Sequence, residues 1–461
     1  MLLAKLWGQP MKSMLFGTDG FIGRHIGGLA MAFLKVVFPK AAFRCWIALL
    51  AIGLSPMAAP AHAAHAPLRL GIDVLLESDH ARLSGKHIGL VTNAGAVDAQ
   101  YRSTLERLSE TPGIRLVALF GPEHGVRGDA APGAHVANAV DGATGLPVYS
   151  LYGATREPTA EMLRGIDLLI IDLPDAGARP FTYAATIMGV LRAAQRHGIA
   201  VMLLDRPNPI GGLLVEGPML DPAYLSFVGP FAMPMRHGMT MGELARLFNV
   251  GMGINADLTV VRMRGWRRDG RGAGAPWVMP SPNMPTMETA LVYPGMVLVE
   301  GTNLSEGRGT TRPFEMVGAP FIDPVPLAAQ MNALHLPGIR FRATWFTPTT
   351  SKFAGERCGG LALHVTDRAR FRPVRTAIIL LQQIARAYPT QFRILGDAPT
   401  EAGNGGNNRA GHQAFFELLA GNGWLRGAVM AGESPAAMEE RDAAAMALFL
   451  RQRRQALLYS R

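Results

Sequence analysis

From residue 67 onward, short runs rich in Val, Ile and Leu recur between stretches with helical spacing. Four of these runs, His87 to Thr92, Arg115 to Phe120, Asp167 to Leu173 and Ile199 to Leu204, lack clean apolar–polar alternation. They therefore read as strands buried on both faces. Tyr101 to Ser109 and Thr182 to His197 read as helices between them. The order strand, helix, strand predicts an α/β fold with a parallel sheet flanked by helices. Farther on, Met239 to Asn249 predicts a helix and Leu258 to Met263 a strand, and the Gly/Arg-rich stretch Arg267 to Ala275 predicts a surface loop. A boundary there divides the chain into a domain over 67–275 and a smaller carboxy-terminal domain over 276–461. In the second domain Met296 to Val299 reads as a strand and Ala436 to Tyr459 as a closing helix.

If the strands are parallel, their polar ends meet on one edge of the sheet, where open α/β sheets bind ligands. Those ends carry Asn93, then Glu123, His124 and Arg127, then Asp172, Asp175 and Arg179, then Asp205 and Asn208. Two Gly/Pro-rich loops of the second domain, 281–286 with Asn283 and 300–310 with Glu300, Asn303, Glu306 and Arg308, are expected to reach the same cleft. His237, in Met235-Arg236-His237-Gly238, is a further candidate.

Residues 31 to 66 differ in kind. Lys35, Lys40 and Arg44 precede an apolar stretch from about Cys45 to Leu54, followed by the small-residue sites Ala61-His62-Ala63 and Ala64-His65-Ala66. This is the pattern of a secretory signal peptide, too short to span a membrane comfortably, and it predicts export to a periplasm. The glycine loop at 17–23 imitates a dinucleotide-binding turn, but a signal segment follows where a strand-helix-strand unit is required. Residues 1–66 are thus expected to be an over-extended start plus the signal, with translation beginning at Met31.

Export changes the reading of charge. The chain carries a formal +10, but residues 1–63 hold six basic side chains against one acid, which leaves 39 basic and 34 acidic residues. No basic run with interleaved aromatics remains, so nucleic acid is not an expected partner. With 49% hydrophobic and 17% charged residues the chain has the composition of a folded enzyme. Cys358 alone follows the signal, which excludes an intrachain disulfide there, and no Cys cluster or HExxH pattern supports zinc. No metal or other cofactor is expected.

Neither a Gly-x-Ser-x-Gly elbow nor a Walker loop is present. The candidate cleft offers carboxylates, histidines and arginines, an inventory suited to glycoside hydrolysis, where one carboxyl group gives a proton to the leaving oxygen. Glu123 fits that role because Pro122 and Gly125 enforce a tight turn around it, and His124 stands beside it; the alternative is a carboxylate that caps the next helix. Asp172 and Asp175 are candidates for a second catalytic group, the alternative for Asp172 being a carboxylate that orients its loop by hydrogen bonding. Arg127, Arg179, Arg236 and Arg308 are candidates for gripping an anionic substrate, or structural ion-pair partners.

Six segments in this order, Gly121–Gly128, Asp167–Thr182, Asp205–Gly212, Met235–Gly242, Ser281–Thr286 and Glu300–Thr310, resemble the DUF1343 family, whose characterised members are exo-β-N-acetylmuramidases. The resemblance implies a Rossmann-like first domain joined to a smaller α/β or α+β second domain, with no nucleotide. It implies release of N-acetylmuramic acid from the non-reducing ends of peptidoglycan fragments or muropeptides, with the family's catalytic glutamate falling on Glu123. Competing functions are a non-catalytic wall-sugar binding protein and an amidase or esterase of peptidoglycan.

Overall fold

Buried apolar runs form strands only where neighbours take up their backbone groups, and the computed structural model, which describes residues 67–270, 275–396 and 414–460, shows where they do. The strands of the first part are β1 (His87–Thr92), β2 (Arg115–Gly121), β3 (Ala139–Val140), β4 (Pro147–Ser150), β5 (Leu168–Asp172), β6 (Ala200–Leu204), a small β7 (Glu216–Met219) and β8 (Pro234–Arg236) pair, and β9 (Leu258–Val261). The main sheet has the order β3-β4-β2-β1-β5-β6-β9 and is parallel except at the β3 edge. Both faces are covered, and β5 is buried along its whole length. The expected signal segment and the glycine loop at 17–23 lie outside the described residues, as does part of the loop expected over Arg267 to Ala275.

Local signals set the helix ends. Helix α1 spans Thr104–Glu110, later than its predicted start at Tyr101, because Ser103 caps it with Glu106 closing a capping box. Helix α2 (Tyr183–His197) ends on the left-handed Gly198, and α3 (Met241–Gly251) starts on Thr240 with Glu243 as reciprocal cap. Strand order reverses at β1, with β2 on one side and β5 on the other. The polar strand ends therefore open into a crevice at the carboxyl edge.

The second part begins with α4 (Met287–Met296). Met296 to Val299 is not a strand: it is the end of α4 running into a 3₁₀ turn over Val297–Gly301. These residues are buried on every side, and an apolar run of that kind has the same pattern in a core helix as in a core strand. Strands β10 (Met316–Ala319), β11 (Ile339–Phe346) and β12 (Cys358–Val365) form an antiparallel sheet in the order β10-β12-β11. The single closing helix expected over Ala436 to Tyr459 is two, Pro435–Arg441 and α5 (Ala443–Ala456), broken at Asp442, whose carboxylate accepts a hydrogen bond from Met219 N at 2.8 Å. Helix α5 packs on α3 of the first part, where Arg453 donates to the carbonyls of Gly212 and Gly238.

Candidate functional site

The chain leaves β2 through a turn closed by Gly125 N donating to Pro122 O at 2.9 Å, with His124 at φ 70° and Gly125 at φ 76°. A left-handed conformation at a non-glycine residue such as His124 costs on the order of 1–3 kcal/mol, so the fold holds this turn against local preference. No helix follows, which removes the capping role for Glu123. Instead its Oε1 accepts from Gly133 N at 3.0 Å and its Oε2 from Thr182 Oγ1 at 2.7 Å. Thr182 occupies the N-cap position of α2, yet its side chain makes no cap hydrogen bond and serves Glu123. The Tyr183 hydroxyl donates to Pro280 O at 2.6 Å and lies 3.3 Å from Glu123 O. Burial, reinforced by the Glu123 charge, pushes the Tyr152 hydroxyl up to about 12 and keeps it protonated.

A cavity opens over this carboxylate, lined by Glu123, His124, Thr182, Ser281, Asn283, Tyr293 and Arg308 with Phe181 and Phe314. Burial pushes His124 below its ordinary value despite the adjacent Glu123, so its imidazole is neutral. Its Nδ1 lies 2.8 Å from Ala130 O, which can only accept; Nδ1 therefore carries the hydrogen and Nε2 is left as an acceptor. Also in the lining, Arg308 donates to Glu300 at 3.0 Å and stands 3.3 Å from Glu306, which Lys352 approaches to 2.9 Å. Burial works against the Arg308 charge, but Glu300 and Glu306 outweigh it and raise its value; burial raises Glu300.

Of the residues singled out in the sequence, the cavity thus brings together Glu123, His124, Asn283 and Arg308, with Glu300 and Glu306 behind Arg308. The others are placed elsewhere. Asn93 braces the Glu123 turn from beneath, donating to Gly125 O at 3.3 Å and accepting from Gly95 N. Asp172 is sealed at the end of β5, where both oxygens are taken by the Arg206 guanidinium and the Thr104 hydroxyl, so it has no free edge for a substrate. Arg127 is exposed and paired with Asp141. Arg179 is fully buried, and its guanidinium donates to the carbonyls of Pro218, Met233 and Leu419. Burial drops its value to about 9, and it acts as a clamp on backbone. Asn208 ties Met239 O to Ile210 N, and Asn303 ties Gln391 O to Arg393 N. Asn208 thereby satisfies backbone that the loop would otherwise bury without a partner, while the Asn303 bonds lie at the surface.

Asp175 and His237 form a separate buried pair, Oδ2 to Nε2 3.5 Å. It is not an ion pair: burial pushes Asp175 up to about 7 and His237 down to about 3, so the imidazole is already neutral over the range in which the carboxyl ionises. Thr182, Tyr152 and Lys352 were not among the sequence candidates. Thr182 is the last residue of the segment Asp167–Thr182 and the first of the helix predicted over Thr182 to His197, and those were its local signals. Among the described residues no three His, Cys, Asp or Glu side chains cluster as metal ligands, and no helix is long and apolar enough to cross a membrane.

Comparison with known proteins shows the family of the chain. The family model for the N-terminal part of the exo-β-N-acetylmuramidase NamZ matches residues 88–288, and the model for its C-terminal part matches residues 291–459. The peptidoglycan β-N-acetylmuramidase NamZ of Bacillus subtilis is 49% identical over 369 residues, which cover 80% of this chain and 85% of that protein. A crystal structure of a DUF1343 family protein from Bacteroides fragilis superposes with a TM-score of 0.73 at 35% identity, covering 85% of this chain and 99% of the other. A second DUF1343 protein of the same organism gives 0.65 at 28% identity, covering 86% and 99%.

Proposed function

The chain belongs to the exo-β-N-acetylmuramidase NamZ family, and from that membership we infer that it is a glycoside hydrolase releasing N-acetylmuramic acid from the non-reducing ends of peptidoglycan fragments. The observation that carries the reading to particular atoms is the Glu123 carboxylate. It is fixed at both oxygens by Gly133 N and Thr182 Oγ1 and faces a cavity walled by both parts of the chain.

Glycosidic cleavage needs a proton at the leaving oxygen and an electron pair at the anomeric carbon. Glu123 supplies the first. Among the described residues it is the only carboxylate that lines the cavity, since Glu300 and Glu306 are turned to Arg308 and Lys352. This favours attack by water, or by the substrate's own acetamido oxygen, over a mechanism with a second carboxylate as nucleophile. For a water route, neutral His124 with Nε2 as acceptor is the group suited to take the proton. Asp172 has no part in this scheme. The enzyme acts in the periplasm, a reading supported by the pattern of residues 31–66. Amino-terminal sequencing of protein from a periplasmic extract should find the chain beginning at residue 64 or 67; an intact residue 31 in that fraction contradicts the export reading.

The direct test is release of the sugar from chromogenic β-N-acetylmuramide and β-N-acetylglucosaminide by the purified protein. Turnover of the muramide is expected, with little or none of the glucosaminide. Binding of muropeptides with no turnover would favour a wall-sugar binding protein. Products whose glycosidic bond is whole would favour an amidase or esterase.

A further inference from the structure

We propose that Arg308 recognises the lactyl carboxylate of the substrate and thereby selects N-acetylmuramic acid over N-acetylglucosamine, which lacks that group. The proposal rests on the functional reading above. Bidentate recognition of a carboxylate requires a guanidinium edge with unspent N–H groups. Arg308 has one. Its Nη2 donates to Glu300, its Nε lies toward Glu306 and its carbon stands 5.0 Å over the Phe314 ring, while Nη1 makes no hydrogen bond among the described residues. The side chain keeps 19% exposure and lines the same cavity as Glu123. Its charge also reaches His124, which lines the same cavity.

The surroundings suit a fixed hydrogen-bonding group better than a loose cation. Glu300 and Glu306 face Arg308 and Lys352, two acids against two bases, so the cluster is neutral and the guanidinium is oriented before substrate arrives. Much of the long-range attraction for an anion is thereby cancelled. What remains is directional hydrogen bonding at Nη1, and the expected effect is correspondingly moderate.

The other arginines singled out in the sequence are engaged elsewhere, Arg236 among them through its Nη2 on Ile210 O. Arg127 is paired with Asp141, Arg179 with backbone carbonyls and Arg206 with Asp172. The nearest rival is Arg156, whose guanidinium lies 3.6 Å over the Tyr152 ring and whose Nη1 has no partner. That nitrogen is sealed from solvent, so a substrate carboxylate has no path to it in this conformation.

The test compares a chromogenic β-N-acetylmuramide carrying the free lactyl acid with its methyl ester, using the wild-type chain, Arg308→Gln and Arg156→Gln. The wild type is expected to lose roughly 10- to 100-fold in kcat/KM on the ester, the range for losing hydrogen bonds to a charged group. Arg308→Gln should lose a similar factor on the acid, chiefly through KM, and become indifferent to esterification. An Arg308→Gln enzyme that keeps the acid-over-ester preference overturns the proposal, as does an Arg156→Gln enzyme that loses it. The wild type alone also decides if the glutamine variant does not fold: equal kcat/KM for acid and ester overturns it. A wild type that cleaves neither muramide counts against the functional reading, whereas a muramidase indifferent to esterification counts against Arg308 alone.

Discussion

Glu123→Gln is expected to lower release of N-acetylmuramic acid by about 10²- to 10⁴-fold, the contribution usual for a positioned proton-transfer group. The substitution is close to isosteric and keeps its contacts. The amide oxygen can still accept from Gly133 N, and the amide nitrogen can donate to Thr182 Oγ1, because a hydroxyl accepts as readily as it donates. The fold should therefore survive with a stability change within roughly 0.5 kcal/mol, as for a substitution that leaves its hydrogen bonds intact. Kinetics on the muramide together with urea unfolding separate the two effects. Wild-type turnover by this variant would remove Glu123 from the chemistry.

Asp172→Asn should show the opposite division. Asp172 and Arg206 are both buried, and the carboxylate is the counter-charge of the guanidinium through two hydrogen bonds. Removing the negative charge leaves a buried cation without compensation, a loss of roughly 3–5 kcal/mol. The urea midpoint should fall steeply, while kcat per folded molecule at low temperature stays near that of the wild type. A variant as stable as the wild type but without turnover would return Asp172 to the catalytic group.

That contrast marks where sequence reading stopped. Strands β1, β2, β5 and β6 were legible because a strand buried on both faces must be apolar throughout, and their polar ends showed where a crevice opens. Glu123 was legible because Pro122 and Gly125 allow few backbone paths. The roles of Asp172 and Arg179 were not. Their residue types fit a site and a buried clamp equally well, and the partners that decide, Arg206 for one and the carbonyls of Pro218, Met233 and Leu419 for the other, are distant in sequence. Met296 to Val299 was misread for a related reason: full burial erases the periodicity that separates helix from strand. The break at Asp442 follows from a tertiary contact with Met219 that helical spacing does not encode.

The return of α5 to the first part has a kinetic side. Tyr459 donates to Asp205 across a separation of 254 residues, Arg453 to Gly212 across 241, and Arg179 to Leu419 across 240. Closures of that span carry a large loop entropy and form late, after most of the chain is available. The carboxyl end of β6 is therefore expected to stay open to water until the carboxy-terminal segment docks, with Tyr459 closing it over Asp205.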